Sequence, residues 1–238
     1  MSGRSAAWLA RLLREQEVGG SNPLAPTNIS SRPKREELIT FGDASEFLKN
    51  MPMVKKHLGT KNLLVREDSV LVLIDIQDKL MPVIANREKV IENIVRLLKF
   101  SHIIGLPIVL TEQEKLGSTL PEIKKEIPNL PPITKSAFSC FSSDEFTKQI
   151  CQIGRKTLII AGVETHICIA QTALSAIPYF KVYVVSDAVS SRTLDNWHIG
   201  IERMRQSGVT ITSTEMLIFE LLGKAGTDEF RAALKLVK

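Results

Sequence analysis

The stretch from residue 157 to residue 175, TLIIAGVETHICIAQTALS, constrains the fold more than any other part of the chain. It contains a short continuous apolar run, 158–161, of the kind that forms a strand buried on both faces of a parallel sheet. Gly162 interrupts this run, and apolar residues then recur at helical spacing. They are Val163, Ile167, Ala170, Leu174 and Ile177. The stretch therefore predicts a strand, a tight turn and a helix.

Cys168 falls in the first turn of the predicted helix. Unpaired backbone N–H groups and the helix dipole favour negative charge there, so a thiol in this position can shift towards the thiolate. The same N–H groups could hold the oxyanion of an acyl-transfer intermediate. The alternative is that Cys168 is one more small buried hydrophobic residue. The stretch alone leaves both interpretations open.

Strands alternate with helices along the rest of the chain, beginning at Ser69. Apolar runs predict strands at 70–74, 107–111, 133–134, 182–185 and 209–212. The predicted helices are one from an N-cap at Asn86 to Gly105, then 121–127, 144–153 capped by Ser143, one from Ser190 or Ser191 to Gln206, 215–222 and 228–236. This alternation predicts an α/β fold with three layers (αβα) and a mostly parallel, doubly wound, Rossmann-like sheet.

Four chemically reactive side chains stand at or just past predicted strand ends: Asp75, Lys135, Cys168 and Asp187. Ligands bind beyond the carboxyl ends of the strands in such sheets, so distant parts of the chain place these groups on one edge. A carboxylate base, a cation and a thiol are what covalent acyl transfer needs. Taken singly, Asp75 could be a helix cap or face solvent, and Lys135 could be a solvated lysine.

Composition excludes several other classes of function. The chain has 238 residues, 44% hydrophobic and 24% charged, which suits one globular domain with a tail. A net charge of +5, scattered basic residues and 5% aromatic residues argue against a nucleic-acid partner. No apolar run approaches the roughly 18 residues of a membrane span, so no membrane partner is expected.

Cysteine and glycine patterns argue against a metal or other cofactor. Three cysteines are an odd number, which fits a reducing compartment better than a disulfide framework. The chain has no CxxC or HExxH motif, so a zinc site is not expected. No G-x-G-x-x-G follows the first strand, which excludes the usual dinucleotide-binding motif.

Residues 1–60 differ from the domain predicted at 61–238. Gly, Ser, Asn and Pro are frequent in 19–33, so part of this extension should be irregular. Arginines and serines at the start faintly resemble a mitochondrial presequence, although Glu15 and Glu17 weaken that likeness. We expect a cytoplasmic protein, or a mitochondrial one if residues 1–30 act as a presequence.

Five segments resemble the isochorismatase-like cysteine hydrolases, a superfamily that includes nicotinamidases and N-carbamoylsarcosine amidase. They are VLVLIDIQDKL at 70–80, ITKSAFSCF at 133–141, LIIAGVETHICIAQTA at 158–173, VVSDAVSSR at 184–192 and TSTEMLIFELL at 212–222. The last segment is similar to the isochorismatase-domain and YcaC-like branches. The resemblance implies the isochorismatase-like hydrolase fold over residues 69–222, and it is not specific for a substrate.

The resemblance also implies roles for individual residues. Asp75 would be the general base, Lys135 would pair with it and stabilise negative charge, and Cys168 would be the nucleophile. A non-proline cis peptide bond is implied between Val163 and Glu164, where it would aim the N–H groups of Glu164 and Cys168 at one oxyanion.

The implied reaction is hydrolysis of a small amide or ureide C–N bond through a Cys168 thioester. The metal-dependent nicotinamidases carry an Asp and paired His after the second strand, whereas this chain reads TEQEKLGST with no His, so no metal is expected. Isochorismatase proper has no cysteine at position 168, which argues against its substrate. A catalytically silent scaffold and a thiol redox sensor remain as alternatives.

A substrate pocket and a subunit contact are the remaining expectations. The residues expected to line the pocket are Gln77, Leu80, Phe138, Phe141 and His166. Cys140 and Cys151 are expected to be buried residues without a chemical role. Family members are commonly oligomers, and the apolar segment MLIFELL at 216–222 would suit contact with another copy, so the expected partners are a small-molecule substrate and further copies of the chain.

Overall fold

Six strands form one sheet in the computed structural model, which describes residues 63–237. The strands are β1 (Ser69–Ile74), β2 (Ile108–Gln113), β3 (Ile133–Lys135), β4 (Thr157–Val163), β5 (Lys181–Ser190) and β6 (Thr210–Thr212). Their order is β3-β2-β1-β4-β5-β6, and every neighbouring pair is parallel. All residues of β1 and β4 are buried, as their continuous apolar runs predict. The expected extension at 1–60 and the domain start at 61 lie outside the described residues.

Seven α-helices connect or follow these strands in the described part of the chain. They are α1 (Arg87–Ile104), α2 (Pro121–Glu126), α3 (Asp144–Ile153), α4 (Ala170–Ala176), α5 (Leu194–Gln206), α6 (Thr214–Leu222) and α7 (Asp228–Val237). The connections run outward from β1 in one direction and from β4 in the other. Because crossovers between parallel strands are right-handed as a rule, this order places helices on opposite faces of the sheet. Accordingly, α1 contacts α2, α6 and α7, whereas α4 contacts α5. The three-layer, doubly wound α/β fold is confirmed.

The sheet reverses its direction of winding between β1 and β4. This is the topological switch point of the sheet, where ligands of such folds bind beyond the carboxyl ends of the strands. Close approach of the two strands depends on Gly162, which pairs with Ile74 and has a φ of 118°. A Cβ atom on Gly162 would lie 2.1 Å from the backbone oxygen of Ile74. The glycine that interrupts the apolar run therefore allows β4 to pack against the end of β1.

The two predicted helix caps have different outcomes. Ser143 caps α3 as predicted, because its hydroxyl accepts a hydrogen bond from the backbone N–H of Phe146. Asn86 occupies the N-cap position of α1 as predicted, but it has a φ of 53° and its side chain makes no capping hydrogen bond. Gly105 follows α1 in the left-handed conformation, as expected of a glycine after a helix.

Strand β5 is longer than its apolar run predicts, and this moves the start of α5. The register of β5 against β4 jumps from Ile160–Val184 to Gly162–Val189, so an irregular segment lies between the two paired parts. Because β5 continues through Ser190, the helix predicted to start at Ser190 or Ser191 begins instead at Leu194. Its cap is Thr193, whose hydroxyl accepts from the N–H of Asn196.

Candidate active site

Asp75 directly follows β1 at the switch point of the sheet. It is fully buried and has a φ of 55°, which is uncommon for a residue with a side chain. Its carboxylate has one donor on each oxygen: Thr111 Oγ1 donates to Oδ1 at 2.9 Å, and Lys135 Nζ donates to Oδ2 at 2.7 Å. A buried carboxylate is costly unless it is paired in this way.

Lys135 reaches Asp75 from β3, at the edge of the sheet. Besides Asp75, its Nζ lies 2.8 Å from Gln113 Oε1, 3.4 Å from the backbone oxygen of Ala137 and 3.8 Å from Cys168 Sγ. Burial on its own lowers the pKa of Lys135, but the charge and hydrogen bond of Asp75 together with the neighbouring Cys168 and Cys140 outweigh this, and the pKa lies above its ordinary value. Lys135 is therefore a charged ammonium group inside the protein.

Cys168 lies in a single π-helical turn, Thr165–Ile169, between β4 and α4. The carbonyl of Glu164 accepts hydrogen bonds from the N–H groups of both Ile167 and Ile169, which fixes the start of this turn. The Cys168 side chain faces the Asp75–Lys135 pair and is only 6% exposed. Isolated π turns of this type are frequent at functional sites.

The thiol of Cys168 titrates in the opposite direction from the sequence expectation. Burial raises the pKa of Cys168 above its ordinary value, and the charge of Asp75 raises it further, whereas Lys135 lowers it. The expected shift towards the thiolate was wrong, because removal from water and a neighbouring carboxylate outweigh the start of a short helical turn. Cys168 is therefore protonated at neutral pH and lies next to a carboxylate that can take its proton.

The peptide bond between Val163 and Glu164 is cis, as the resemblance implied. The Glu164 side chain points away from solvent, and its Oε2 accepts hydrogen bonds from Arg192 N at 2.9 Å and Arg192 Nε at 3.1 Å. This buried ion pair joins the end of β4 to the segment that follows β5. Glu164 therefore has a structural partner that the sequence did not indicate.

His166 lies in the same π turn as Cys168, and its ring is partly exposed. Its Nδ1 is 3.0 Å from the Ser191 hydroxyl. Burial lowers the pKa of His166, and Arg192 lowers it too, while Glu164 acts in the opposite direction. The imidazole is therefore neutral at neutral pH, with one ring nitrogen bonded to the segment after β5.

The other expected pocket residues lie in different surroundings. Gln77 is buried, and its amide bonds the backbone of Gln113 and Gly117. Leu80 is buried, and Phe138 is 43% exposed in the loop between β3 and α3.

Phe141 and Asp187, the remaining two candidates, make structural contacts outside the cluster of Asp75, Lys135 and Cys168. Phe141 packs its ring against Phe146 and Phe180, with centroids 5.2 and 5.7 Å apart. Asp187 does not join the cluster either. It lies inside β5, and its Oδ1 accepts from the N–H and the hydroxyl of Thr214 at the start of α6.

Sequence reasoning missed two residues that contact the cluster directly, Thr111 and Gln113. Both belong to the last three residues of β2, whose carboxyl end lies beside that of β1. Their signal was available, because the rule that places Asp75 at the carboxyl edge also applies to the end of β2. They are the first and third residues of the segment TEQEKLGST, whose lack of histidine excludes a histidine metal site but leaves these polar side chains at the strand end.

Within 63–237, no group of three or more His, Cys, Asp or Glu side chains is arranged to hold a metal ion. No helix of this part of the chain is long and apolar enough to cross a membrane. Cys140, Cys151 and Cys168 are all free thiols.

Comparison with known sequences identifies relatives over most of the chain. The family model of the isochorismatase domain matches residues 69–216. The secreted isochorismatase effector Isc1 of Phytophthora sojae is 36% identical over 191 residues, which cover 76% of this chain and 90% of that protein. Isochorismatase domain-containing protein 2A of Mus musculus is 35% identical over 178 residues, covering 72% and 84% of the two chains.

Solved structures share the same fold. YcaC from Pseudomonas aeruginosa, with hexane-2,5-diol and covalent acrylamide, has a TM-score of 0.70, 26% identity and coverage of 75% of this chain and 93% of that chain. YcaC from Escherichia coli, described as an octameric hydrolase of unknown specificity, has a TM-score of 0.69, 28% identity and coverage of 77% and 91%. A structure described as MAR1 ribonuclease from Caenorhabditis elegans has a TM-score of 0.69, 29% identity and coverage of 74% and 92%. Sequence and fold agree, and the chain belongs to the isochorismatase family of α/β hydrolases.

Proposed function

We propose that this protein is a cysteine hydrolase that cleaves the C–N bond of a small amide or ureide. The observation that carries the proposal is the buried Lys135–Asp75 ion pair at 2.7 Å, with Lys135 Nζ 3.8 Å from Cys168 Sγ. A base, a cation and a nucleophile are thereby brought together from three separate strand ends. Perturbed titration of buried groups at the carboxyl edge of a parallel sheet is typical of catalytic sites.

The first half of the reaction forms a thioester. Asp75 takes the proton of the Cys168 thiol as Sγ bonds to the carbonyl carbon of the substrate, and the carbonyl π electrons move to oxygen. The backbone N–H groups of Glu164 and Cys168 hold this oxyanion. When the carbonyl re-forms, the C–N bond breaks, and Asp75 returns the proton to the leaving nitrogen.

The second half releases the acid. Asp75 takes a proton from water as the water oxygen attacks the thioester carbonyl, and the C–S bond breaks when the second tetrahedral intermediate collapses. The proton on Asp75 then returns to Cys168 Sγ. Lys135 keeps its charge throughout and stabilises the negative charge that passes between Asp75, Sγ and the substrate.

The high pKa of Cys168 suits this order of events. A thiol that is neutral at rest needs a base at the moment of attack, and Asp75 is the carboxylate beside it. General base assistance of this kind contributes about 10²–10⁴-fold to the rate. The covalent acrylamide in the Pseudomonas aeruginosa YcaC structure supports a reactive nucleophile on this fold.

Burial of the cluster favours a small substrate. Asp75, Lys135 and Cys168 are all nearly inaccessible to solvent, so a long polymer would need the surrounding loops to open. We propose that Leu80, Phe138 and His166 line the entrance, and that Gln77 supports the site through its bonds to the backbone. The three free cysteines support a reducing compartment such as the cytoplasm, and the octameric Escherichia coli relative supports a homo-oligomer.

Release of ammonia from a panel of small amides and ureides tests the proposal. We expect turnover by the wild-type protein and loss of nearly all turnover in Cys168→Ala, because the three groups act as a unit. Cys151→Ala is the matched control, since this half-buried cysteine lies on α3 outside the cluster and should leave turnover unchanged.

Two other results would replace the proposal. Acrylamide that fails to label Cys168 in a protein with no turnover would favour the non-catalytic scaffold. RNA belongs in the panel because of the Caenorhabditis elegans relative's description. If the wild-type protein cleaves RNA, Cys168→Ala does not, and no amide or ureide releases ammonia, the site would cleave RNA and not a C–N bond of a small molecule.

A further inference from the structure

The ammonium group of Lys135 is held by a second side chain besides Asp75. It carries three protons and no acceptor, so each proton needs an oxygen or sulfur partner when buried. The two short contacts of Nζ are Asp75 Oδ2 at 2.7 Å and Gln113 Oε1 at 2.8 Å. The contacts to Ala137 O and Cys168 Sγ are longer, at 3.4 and 3.8 Å.

The orientation of the Gln113 amide is determined by its neighbours. Its Nε2 donates to the carbonyl of Ser136 at 2.6 Å, while its Oε1 faces the Lys135 ammonium. A flipped amide would place NH₂ against an ammonium group and oxygen against a carbonyl oxygen, and both contacts would be repulsive. Gln113 therefore presents a neutral acceptor to Lys135 in one orientation only.

Gln113 is itself fixed by Gln77. The Gln77 side chain accepts from the backbone N–H of Gln113 at 2.8 Å and donates to its carbonyl at 2.9 Å. It thus bonds both backbone groups of Gln113, in the way a neighbouring strand would. Both glutamines are buried, and Gln113 pairs with Lys135 in the register of β2 and β3.

We propose that Gln113 is a positioning residue, which holds the Lys135 ammonium between Asp75 and Cys168 without adding charge to the site. This inference rests on the proposed function, in which Lys135 stabilises negative charge on Sγ. A carboxylate at this position would form a second ion pair and compete with Asp75. An apolar side chain would leave an ammonium proton without its acceptor and let Nζ move away from Sγ.

The rate at which iodoacetamide alkylates Cys168 tests this without any substrate. The thiol is mostly protonated between about pH 7 and 9, so the rate at fixed pH reports the thiolate fraction, which Lys135 increases. Peptide mass spectrometry separates Cys168 from Cys151, which serves as the internal reference. The proteins compared are Gln113→Met, Lys135→Met, the double variant and Gln152→Met, the same substitution at an exposed position of α3.

We expect Gln113→Met to slow alkylation of Cys168 by at least about threefold, the effect of half a pKa unit, across the whole pH range. Lys135→Met should slow it more. In the Lys135→Met background, the Gln113 substitution should have no further effect, because its action passes through the ammonium group. Gln152→Met should match the wild-type protein.

Each failure has a distinct meaning. If Lys135→Met leaves the alkylation rate unchanged, the proposed function loses its cation and fails together with this inference. If Lys135→Met slows alkylation but Gln113→Met does not, the positioning role alone is overturned. An equal effect of Gln113→Met with and without Lys135 would show a purely structural role, and a lower melting temperature with an unchanged alkylation rate would show the same.

Discussion

Gly162→Ala is the substitution whose effect follows most directly from the geometry of the site. The added Cβ atom would lie 2.1 Å from the oxygen and 2.7 Å from the nitrogen of Ile74, the residue before Asp75. Both atoms belong to the backbone of a central strand, so no side-chain rotation can relieve the contact. We expect the substitution to lower stability and to displace Asp75 together.

Two costs add in this variant. A residue with a side chain at a φ of 118° costs roughly 1–3 kcal/mol, and overpacking against a buried strand costs about 1–3 kcal/mol more. The sum is about 2–6 kcal/mol, which corresponds to a fall in melting temperature of roughly 4–24 °C for a domain of this size. Thermal unfolding followed by circular dichroism measures the fall in melting temperature, and the rate at which iodoacetamide alkylates Cys168 reports the effect on the site.

Gly208→Ala separates the two costs. Gly208 has a φ of 96°, but a Cβ atom there would meet nothing within 4 Å, so only the backbone cost applies. We expect Gly162→Ala to be more destabilising than Gly208→Ala by at least about 1 kcal/mol, and only Gly162→Ala should alter the reactivity of Cys168. Equal melting temperatures for the two variants would refute the close approach of β4 to β1.

Three further outcomes are expected. Asp75→Asn should speed alkylation of Cys168 by iodoacetamide, because it removes a charge that raises the thiol pKa. The same variant should lose turnover, and slower alkylation would contradict the effect of Asp75 on the thiol. Arg192→Met should lower the free energy of unfolding by about 3 kcal/mol, since it removes the cation paired with the buried Glu164 carboxylate and keeps the backbone N–H donor at residue 192. A loss below about 1 kcal/mol in urea titrations would count against that pair. Burial raises the pKa of Cys140 to about 11, so the protonated thiol contributes its full stability below the ordinary thiol pKa and loses it as pH rises towards 11. Cys140→Ala should therefore make the free energy of unfolding fall less steeply with pH in this range, and an unchanged slope would contradict the claim.

The fold was predictable because its strands carry continuous apolar runs. The core of β1 and that of β4 were located within a residue or two, since strands buried on both faces have no polar positions to obscure them. The extent of β5 was not predictable, because its last part, 186–190, includes polar residues whose pairing with β4 depends on a shift of register. The same shift hid the start of α5, since a serine that looks like a cap was still part of the strand.

The positions of Asp75, Lys135 and Cys168 were predictable because each lies at or just past the end of a strand, and the carboxyl ends of parallel strands lie at one edge of the sheet. Their partners were harder to identify. In the sequence, Thr111 and Gln113 are ordinary polar residues at the end of a strand. Only the register of β2 against β1 and β3 shows which side chains they contact. The sequence shows that a residue lies at the carboxyl end of a strand, but the side chains with which it forms hydrogen bonds depend on the register of neighbouring strands.

The titration of Cys168 shows why local sequence cannot determine reactivity. The start of a helix favours a thiolate by about 0.3–1 kcal/mol, and rarely by more than about 2 kcal/mol. Burial and a carboxylate neighbour act in the opposite direction and outweigh it here, and both arise from tertiary packing. A buried neutral thiol reacts slowly with added electrophiles such as iodoacetamide, so in the proposed mechanism fast attack by Cys168 requires a substrate carbonyl close enough for Asp75 to take the proton during attack. In this mechanism the thiolate forms during attack on the bound substrate and is not present in the resting protein.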